Sequence, residues 1–414
     1  MMYNVLYIMV RSSKMTTARA LFADEVLQNP YPKFEELLNR GAVHHLDDQD
    51  LYVVIGFHAI REVLADPETY SSNLVALLTS GEDAAELQVA ETGGVDVLAT
   101  SDPPAHTAHR RLVQPEFSQR AVGVWTDFVD AVLEPRIAQL VADGGGNWMT
   151  SVATTVPVRV IGHIIGLPEK DLDQLAAWSD DAIVLVSGVA TPERAGEAIT
   201  KVVEFTEYLR ARLDEAVENP GAGIIDTVAA AVTDGTLSRE QATMFLVQLV
   251  TAGAESTTSL LGTAVRMVAA NPELQRELRD DPDRIPLLVE EAVRLESPFR
   301  GHFRTTTRAA TLDGVEIPEG ARLMLLWGAS NRDASTFDHP DQLDLDRSQP
   351  RLHHSFGRGI HFCIGAHLAR LEVCRAIALL LDATSEISTN GADEYVSSLV
   401  VRRLAQLDLK VVGA

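Results

Sequence analysis

Apolar positions recur at helical spacing along most of the chain. Tyr31 to Asn39, His58 to Leu64, Val122 to Val141, Leu172 to Val186, Ala195 to Glu218 and Gly223 to Val232 each read as helices with an apolar face. The longest such run, Ser238 to Ala270, holds no proline, opens on a capping box from Ser238 to Gln241 and stops before Asn271-Pro272. At about 1.5 Å per residue it predicts a helix of roughly 50 Å, long enough to cross a domain. Strand signals are fewer. Leu51 to Ile55 is a short apolar run closed by Gly56, while Thr311-Leu312 and Ala321 to Leu326 bracket the turn signals Asp313-Gly314 and Pro318-Glu319-Gly320. Leu399 to Val412 predicts a further hairpin. The pattern therefore predicts a mainly α fold with small β-sheets.

The 414 residues are 46% hydrophobic, ample for a core, and no Ser/Gly/Pro linker, repeat or low-complexity tract divides them. Residues 15–414 are expected to form a single domain, with Met15 a candidate start and residues 1–14 a disordered extension. Tyr3 to Val10 is apolar but far too short to span a bilayer, and no membrane span is expected. Two cysteines make no disulfide framework and fit a reducing, cytoplasmic setting. The net charge of −24 opposes phosphate and argues against a nucleic-acid partner.

Candidate chemistry concentrates at Phe356-Gly-Arg-Gly-Ile-His-Phe-Cys363-Ile-Gly365, which opens onto the apolar helix through Ala366, Leu368, Ala369 and Leu371. Gly357 and Gly359 permit backbone with positive φ and close approach of a flat ligand, and Gly365 leaves room beside the sulfur. A helix start aimed at Cys363 is expected to lower its pKa and favour a soft anionic sulfur suited to a metal. His353, His354, His361 and His367 raise zinc as one alternative, although no second thiolate is near. A buried, inert cysteine is the other alternative. Cys374 lies inside the apolar helix and reads as core.

Phe356-Gly-x-Gly-x-His361-x-Cys363-x-Gly365 followed by Leu368-Ala369-Arg370 resembles the haem-binding loop of the cytochromes P450. The resemblance implies the single-domain cytochrome P450 fold and haem b, iron protoporphyrin IX, with Cys363 as iron ligand and His361 at a haem propionate. Three more segments are similar to that family. In Thr251-Ala252-Gly253-Ala254-Glu255-Ser256-Thr257 the helix is implied to loosen at Ala252 and Gly253 for dioxygen, with Glu255, Ser256 and Thr257 in the catalytic segment. Many members carry threonine where this chain has Ser256, which keeps the hydroxyl without the stiffening methyl. Glu291-Ala-Val-Arg294, joined by Arg347, is implied to be a buried ion-pair triad. Asp102-Pro-Pro-Ala-His106-Thr-Ala-His-Arg110 is implied to supply propionate ligands in His106 and Arg110, with Arg304 approaching from the other side. Phe356, Gly365 and Ala252 complete the implied haem contacts.

The implied function is a haem-thiolate monooxygenase of soluble bacterial, actinobacterial type, inserting one oxygen atom of O2 into a C–H bond. Electrons are implied to come from a ferredoxin and its reductase, received on a basic face of Arg110, Arg111, Arg351, Arg358 and Arg370. The substrate is expected to be small and largely apolar. Its contacts are expected from Ser72 to Leu98 (Leu74, Val75, Leu77 and Leu78 especially), Ile183 to Val202, Val250-Thr251 and Pro298 to Phe303. Arg300 and His302 are candidate anchors for an acidic group. A peroxide-driven peroxygenase and a non-enzymatic haem sensor or ligand carrier are the alternatives.

Overall fold

The computed structural model describes residues 18–46, 51–73, 76–80, 87–91, 95–187, 189–389, 391 and 393–414. The principal helices are α1 (Tyr31–Leu38), α2 (Phe57–Ala65), α3 (Ala105–Val113), α4 (Thr126–Ala142), α5 (Thr155–Ile165) and α6 (Leu172–Val186). They continue as α7 (Pro192–Glu218), α8 (Ile224–Thr233), α9 (Arg239–Ala270), α10 (Pro272–Asp280), α11 (Ile285–Leu295) and α12 (Ala366–Ala383). The fold is mainly helical with small sheets, as the periodicity predicts.

Helix α9 is the axis of the molecule. Ser238 caps it, its hydroxyl accepting from Gln241 N at 3.1 Å while Gln241 Oε1 accepts from Ser238 N at 2.9 Å. Asn271 ends it and starts the next helix, its side chain accepting from the amides of Glu273 and Leu274 ahead of Pro272. Along its length Phe245, Leu246, Val250, Leu261, Ala264 and Val265 are fully buried, and α5, α6, α7, α11 and α12 pack around it. Fully burying one such large apolar side chain stabilises the fold by about 1.5–3 kcal/mol, so the apolar face of α9 fixes where its polar residues fall.

A five-stranded sheet lies to one side: β1 (Val43–Leu46), β2 (Leu51–Val54), β10 (Arg322–Leu326), β7 (Gly301–Thr306) and β3 (Tyr70–Ser71), in that order. Strands β8 (Ala310–Leu312) and β9 (Val315–Ile317) form a hairpin across Asp313-Gly314, where both residues have positive φ (48° and 76°). The partner of Ala321 to Leu326 is thus β2 and β7, not the Thr311-Leu312 segment. Two corrections follow from burial. Val122 to Val141 is broken near Val124 into a short turn of helix, Gln119–Gly123, and α4, with Val124 largely exposed. Leu399 to Val412 is no hairpin: β12 (Asp408–Gly413) pairs with β11 (Thr384–Thr389) and with β6 (Gly145–Asn147). Residues 396–403 instead form a loop closed by the Tyr395–Leu404 bridge and tied to Phe299 through Val401.

Strands β4 (Ala76–Ser80) and β5 (Leu87–Glu91) pair with each other. Leu74 and Val75, and residues 1–14, lie outside the described residues. Among the described residues no helix is long and apolar enough to cross a membrane.

Candidate active site

The cysteine loop is shaped by two glycines. Gly357 and Gly359 adopt φ of 66° and 67°, and a Cβ on Gly359 would lie 2.7 Å from the Leu64 carbonyl oxygen, so no other residue fits there without moving α2. The turn is closed by Gly357 N donating to His354 O at 2.7 Å and Cys363 N donating to Phe356 O at 2.8 Å. Helix α12 then starts at Ala366. A Cβ on Gly365 would meet nothing within 4 Å, which leaves space beside the sulfur. The expected lowering of the thiol pKa is not what the loop produces. Burial pushes the Cys363 thiol up, and the Gly365 amide, Arg370 and Arg110 offset this only in part. Sulfur held away from water costs more to ionise than the helix start returns. Of the flanking histidines, His353 Nε2 donates to the Glu290 carboxylate at 3.0 Å and His354 pairs with Ser330 Oγ at 3.2 Å. Cys374 is half-buried, and burial raises its thiol to about 12.

Cys363 lines a cavity enclosing about 1430 Å³ of space, counting its open mouth. From α9, Ala252, Gly253, Ser256 and Thr257 line the same space, and so do Phe356 and Gly365. At one end sit His106, Arg110, Arg304 and His361. The rings of His106 and His361 are 4.2 Å apart between centroids, and Nε2 of each is buried without a hydrogen-bond partner. Among the described residues Arg110 and Arg304 each donate to a single carbonyl, Ile360 O at 3.1 Å and Phe303 O at 2.6 Å. Burial lowers Arg304 to about 10 and, with Arg304, His106 and Arg110 nearby, His361 to about 3. The neighbouring carboxylate, Asp102, is engaged by the Ser71 hydroxyl and by Ser72 N. The cluster is therefore two guanidiniums and two neutral imidazoles lacking acceptors, a donor set that fits a ligand carrying two carboxylates.

Glu255 is buried and absent from the cavity wall. Its Oε2 accepts from Arg403 Nη1 at 2.9 Å, and the same nitrogen donates to Asp180 Oδ1 on α6 at 3.2 Å. Glu255 Oε1 has no partner. Burial raises its pKa to about 7, with Arg403 pulling it down and Asp180 adding to the rise. Helix α9 runs unbroken past this point. Ser256 Oγ donates to Ala252 O at 2.8 Å, occupying the carbonyl at which loosening is expected. Arg403 escaped sequence reasoning. Its only signal is the adjacent pair Arg402-Arg403 in an apolar stretch.

Glu291 and Arg294 on α11 are each 1% exposed. Glu291 accepts from Arg294 Nε at 2.6 Å, from Arg294 Nη2 at 2.8 Å and from Arg347 Nε at 3.0 Å, which brings the three expected partners together. Next to it, burial tends to raise Glu290, but hydrogen bonds from His353 and Arg370 prevail and bring it to about 2. Arg370 also lies over the Phe356 ring at 4.4 Å. Of the expected basic face, Arg370 is thus committed to Glu290, Arg351 is exposed but also donates to Glu290 at 3.3 Å, and Arg111 and Arg358 are exposed.

Arg300 is not a substrate anchor. It is buried and donates to Ser398 O, Val401 O and Leu27 O, tying the 396–403 loop to the chain before α1. His302 does line the cavity, with its side chain exposed to that space, but the surrounding protein, with Arg304 beside it, lowers it to about 4. A neutral ring cannot serve as the cation expected for an acidic group.

A profile of the cytochrome P450 family matches residues 193–385. With the relatives below, this places the chain in the cytochrome P450 family, whose members bind haem and act as monooxygenases. Among particular relatives, it is 38% identical over 397 residues to cytochrome P450 144 of Mycobacterium tuberculosis, covering 95% of this chain and 92% of that one. It is 33% identical over 358 residues to the erythromycin C-12 hydroxylase of Saccharopolyspora erythraea, covering 84% and 86%. Among solved structures it superposes with a mutant of P450 EryK in complex with erythromycin B, with a TM-score of 0.81, 27% identity and coverage of 92% and 96%. The fold also matches cytochrome P450 CREJ in complex with (4-ethylphenyl) dihydrogen phosphate, with a TM-score of 0.86 at 23% identity, covering 92% of this chain and 97% of that one.

Proposed function

We propose that this P450 inserts one oxygen atom of O2 into a C–H bond of a small, largely apolar substrate, with electrons from a ferredoxin and its reductase in the cytoplasm. One observation carries the reading: a single cavity joins a half-buried sulfur just ahead of a helix start to two guanidiniums and two imidazoles whose Nε2 atoms have no partner among the described residues. Bound haem supplies the oxygen activation and electron transfer.

Cys363 is the proposed iron ligand. Its Gly365 amide, with Arg370 and Arg110, stabilises the anionic sulfur once a cation offsets the burial that otherwise favours the thiol. His106, Arg110, Arg304 and His361 hold the haem carboxylates, and Phe356 and Gly365 flank the sulfur with Ala252 on the α9 wall. Glu255 exchanges a proton at its unpartnered Oε1, poised near neutrality by burial and steadied by Arg403. Ser256 and Thr257 present hydroxyls to the cavity. Glu291, Arg294 and Arg347 keep the cysteine side of the fold in place. Beyond the donors the wall is mostly apolar, with Leu98, Phe117, Ile161, Leu249 and Phe299, so substrate is held chiefly by burial. Relatives named as an erythromycin C-12 hydroxylase and a vitamin D(3) 25-hydroxylase support hydroxylation as the reaction.

The test is the carbon-monoxide difference spectrum of the dithionite-reduced protein, with and without Cys363→Ala. Thiolate-type Soret absorption that disappears in the variant is expected. A colourless protein, or a spectrum unchanged by Cys363→Ala, overturns the assignment.

A further inference from the structure

We propose that His302 is a third imidazole donor to the carboxylates of the cofactor, fixed in one tautomer by Trp327. This deepens the reading above and rests on the donor end of the cavity receiving haem carboxylates.

Strand periodicity sets the position. His302 and Arg304 are two apart on β7, so their side chains leave the same face of the sheet, and both line the cavity. The Trp327 indole at the end of β10 is 2% exposed, and its Nε1 lies 2.8 Å from His302 Nδ1. An indole N–H only donates, so Nδ1 must accept and the ring proton must sit on Nε2. The ring is exposed to the cavity, so the remaining N–H is open to a ligand there. Its electrical neighbours are Arg304 and His361, both at the donor end. The carboxylate closest to that cluster, Asp102, is already occupied by Ser71 and Ser72. A neutral N–H beside the Arg304 guanidinium adds a hydrogen bond to an anion without adding charge. A substrate acceptor in the apolar part of the cavity gives no reason for the ring to be grouped with the arginine and histidine donors.

The experiment measures haem transfer from the holoprotein to excess apomyoglobin for the wild type, His302→Leu, His302→Gln, Trp327→Phe and the double variant His302→Leu/Trp327→Phe. Loss of one hydrogen bond to a charged acceptor is expected to speed transfer on the order of tenfold in His302→Leu. His302→Gln, which keeps an N–H, stays close to wild type. Trp327→Phe falls between, and the double variant matches His302→Leu because Trp327 acts only through the imidazole. With haem dimethyl ester, whose carboxylates have lost their charge and accept only weakly, the difference between wild type and His302→Leu is expected to shrink. Wild-type transfer by His302→Leu, or an acceleration that is undiminished with the dimethyl ester, overturns the proposal. Failure of the haem-thiolate reading itself shows separately, as a missing carbon-monoxide Soret band in the wild type.

Discussion

Replacing Glu291 by alanine removes the carboxylate from an ion pair whose side chains are each 1% exposed. Glu291 accepts four hydrogen bonds: two from Arg294, one from Arg347 Nε and one from Asp344 N, at 2.6, 2.8, 3.0 and 3.0 Å. Arg294 keeps its bonds to Asn331 O, Pro340 O and Gln342 O, but its charge is left buried without a counter-ion. Such a loss costs about 3–5 kcal/mol, against a total stability of about 5–15 kcal/mol for a folded domain. The expected result is a protein that fails to accumulate folded or to take up haem. Glu291→Gln, which keeps an acceptor and the shape, falls between it and wild type. Glu291→Leu/Arg294→Met is expected to lose less than the sum of the single changes, since it removes the two most buried charges together and leaves Arg347, which keeps its bonds to Asp338 O, His339 O and Gln342 O. Soluble yield, haem content and the urea unfolding midpoint provide the measurements. A Glu291→Ala protein that loads haem fully and unfolds within about 1 kcal/mol of wild type would refute the argument, because the buried charge would have proved inexpensive.

Three other expectations concern the cavity and its approach. Ser256→Ala is expected to keep its haem while diverting reducing equivalents to peroxide, measured as peroxide formed per NAD(P)H consumed; tight coupling in the variant contradicts a proton role for the hydroxyl. Glu255 has a folded pKa raised from 4.5 to about 7, so the unfolded chain binds fewer protons between those values and stability falls as pH rises from about 4.5 to 7, then levels off. The wild-type loss relative to Glu255→Gln is expected to be about 3 kcal/mol, read from urea unfolding across that range, and parallel profiles for the two proteins refute it. Arg358→Glu is expected to slow electron transfer from a ferredoxin at low salt, with the difference fading as ionic strength rises; stopped-flow reduction rates that match wild type at low salt count against docking on this face.

Much of the site was legible because its elements announce themselves locally. Ser238 and Asn271-Pro272 mark the ends of α9 in the sequence, and the glycines around Cys363 mark a loop whose positive φ values only glycine adopts easily. Glu291 and Arg294 are one helical turn apart, so their pairing follows from spacing, and Arg347 follows from the family resemblance. What stayed hidden depends on distant chain crossings. Nothing near Glu255 announces that Arg403 will meet it, and nothing near Arg300 announces that backbone carbonyls of the 396–403 loop and of Leu27 will absorb its guanidinium. The same holds for β12: an apolar run gives a strand but not its partners, and β11 and β6 stand far away along the chain. The cysteine misled for another reason. Position at a helix start favours the thiolate, but enclosure disfavours it, and sequence conveys only the first.

The separation of Glu255 from Arg403 also sets an order of events during synthesis. The two lie 148 residues apart, and a ribosome adding about 5–20 residues per second needs roughly 7–30 s to deliver the arginine after the acid has emerged. Throughout that interval the glutamate has no cation to meet, so water must keep it company and the surrounding helices cannot close over it in ionised form. Sealing the middle of α9 over an ionised Glu255 therefore waits for Arg403.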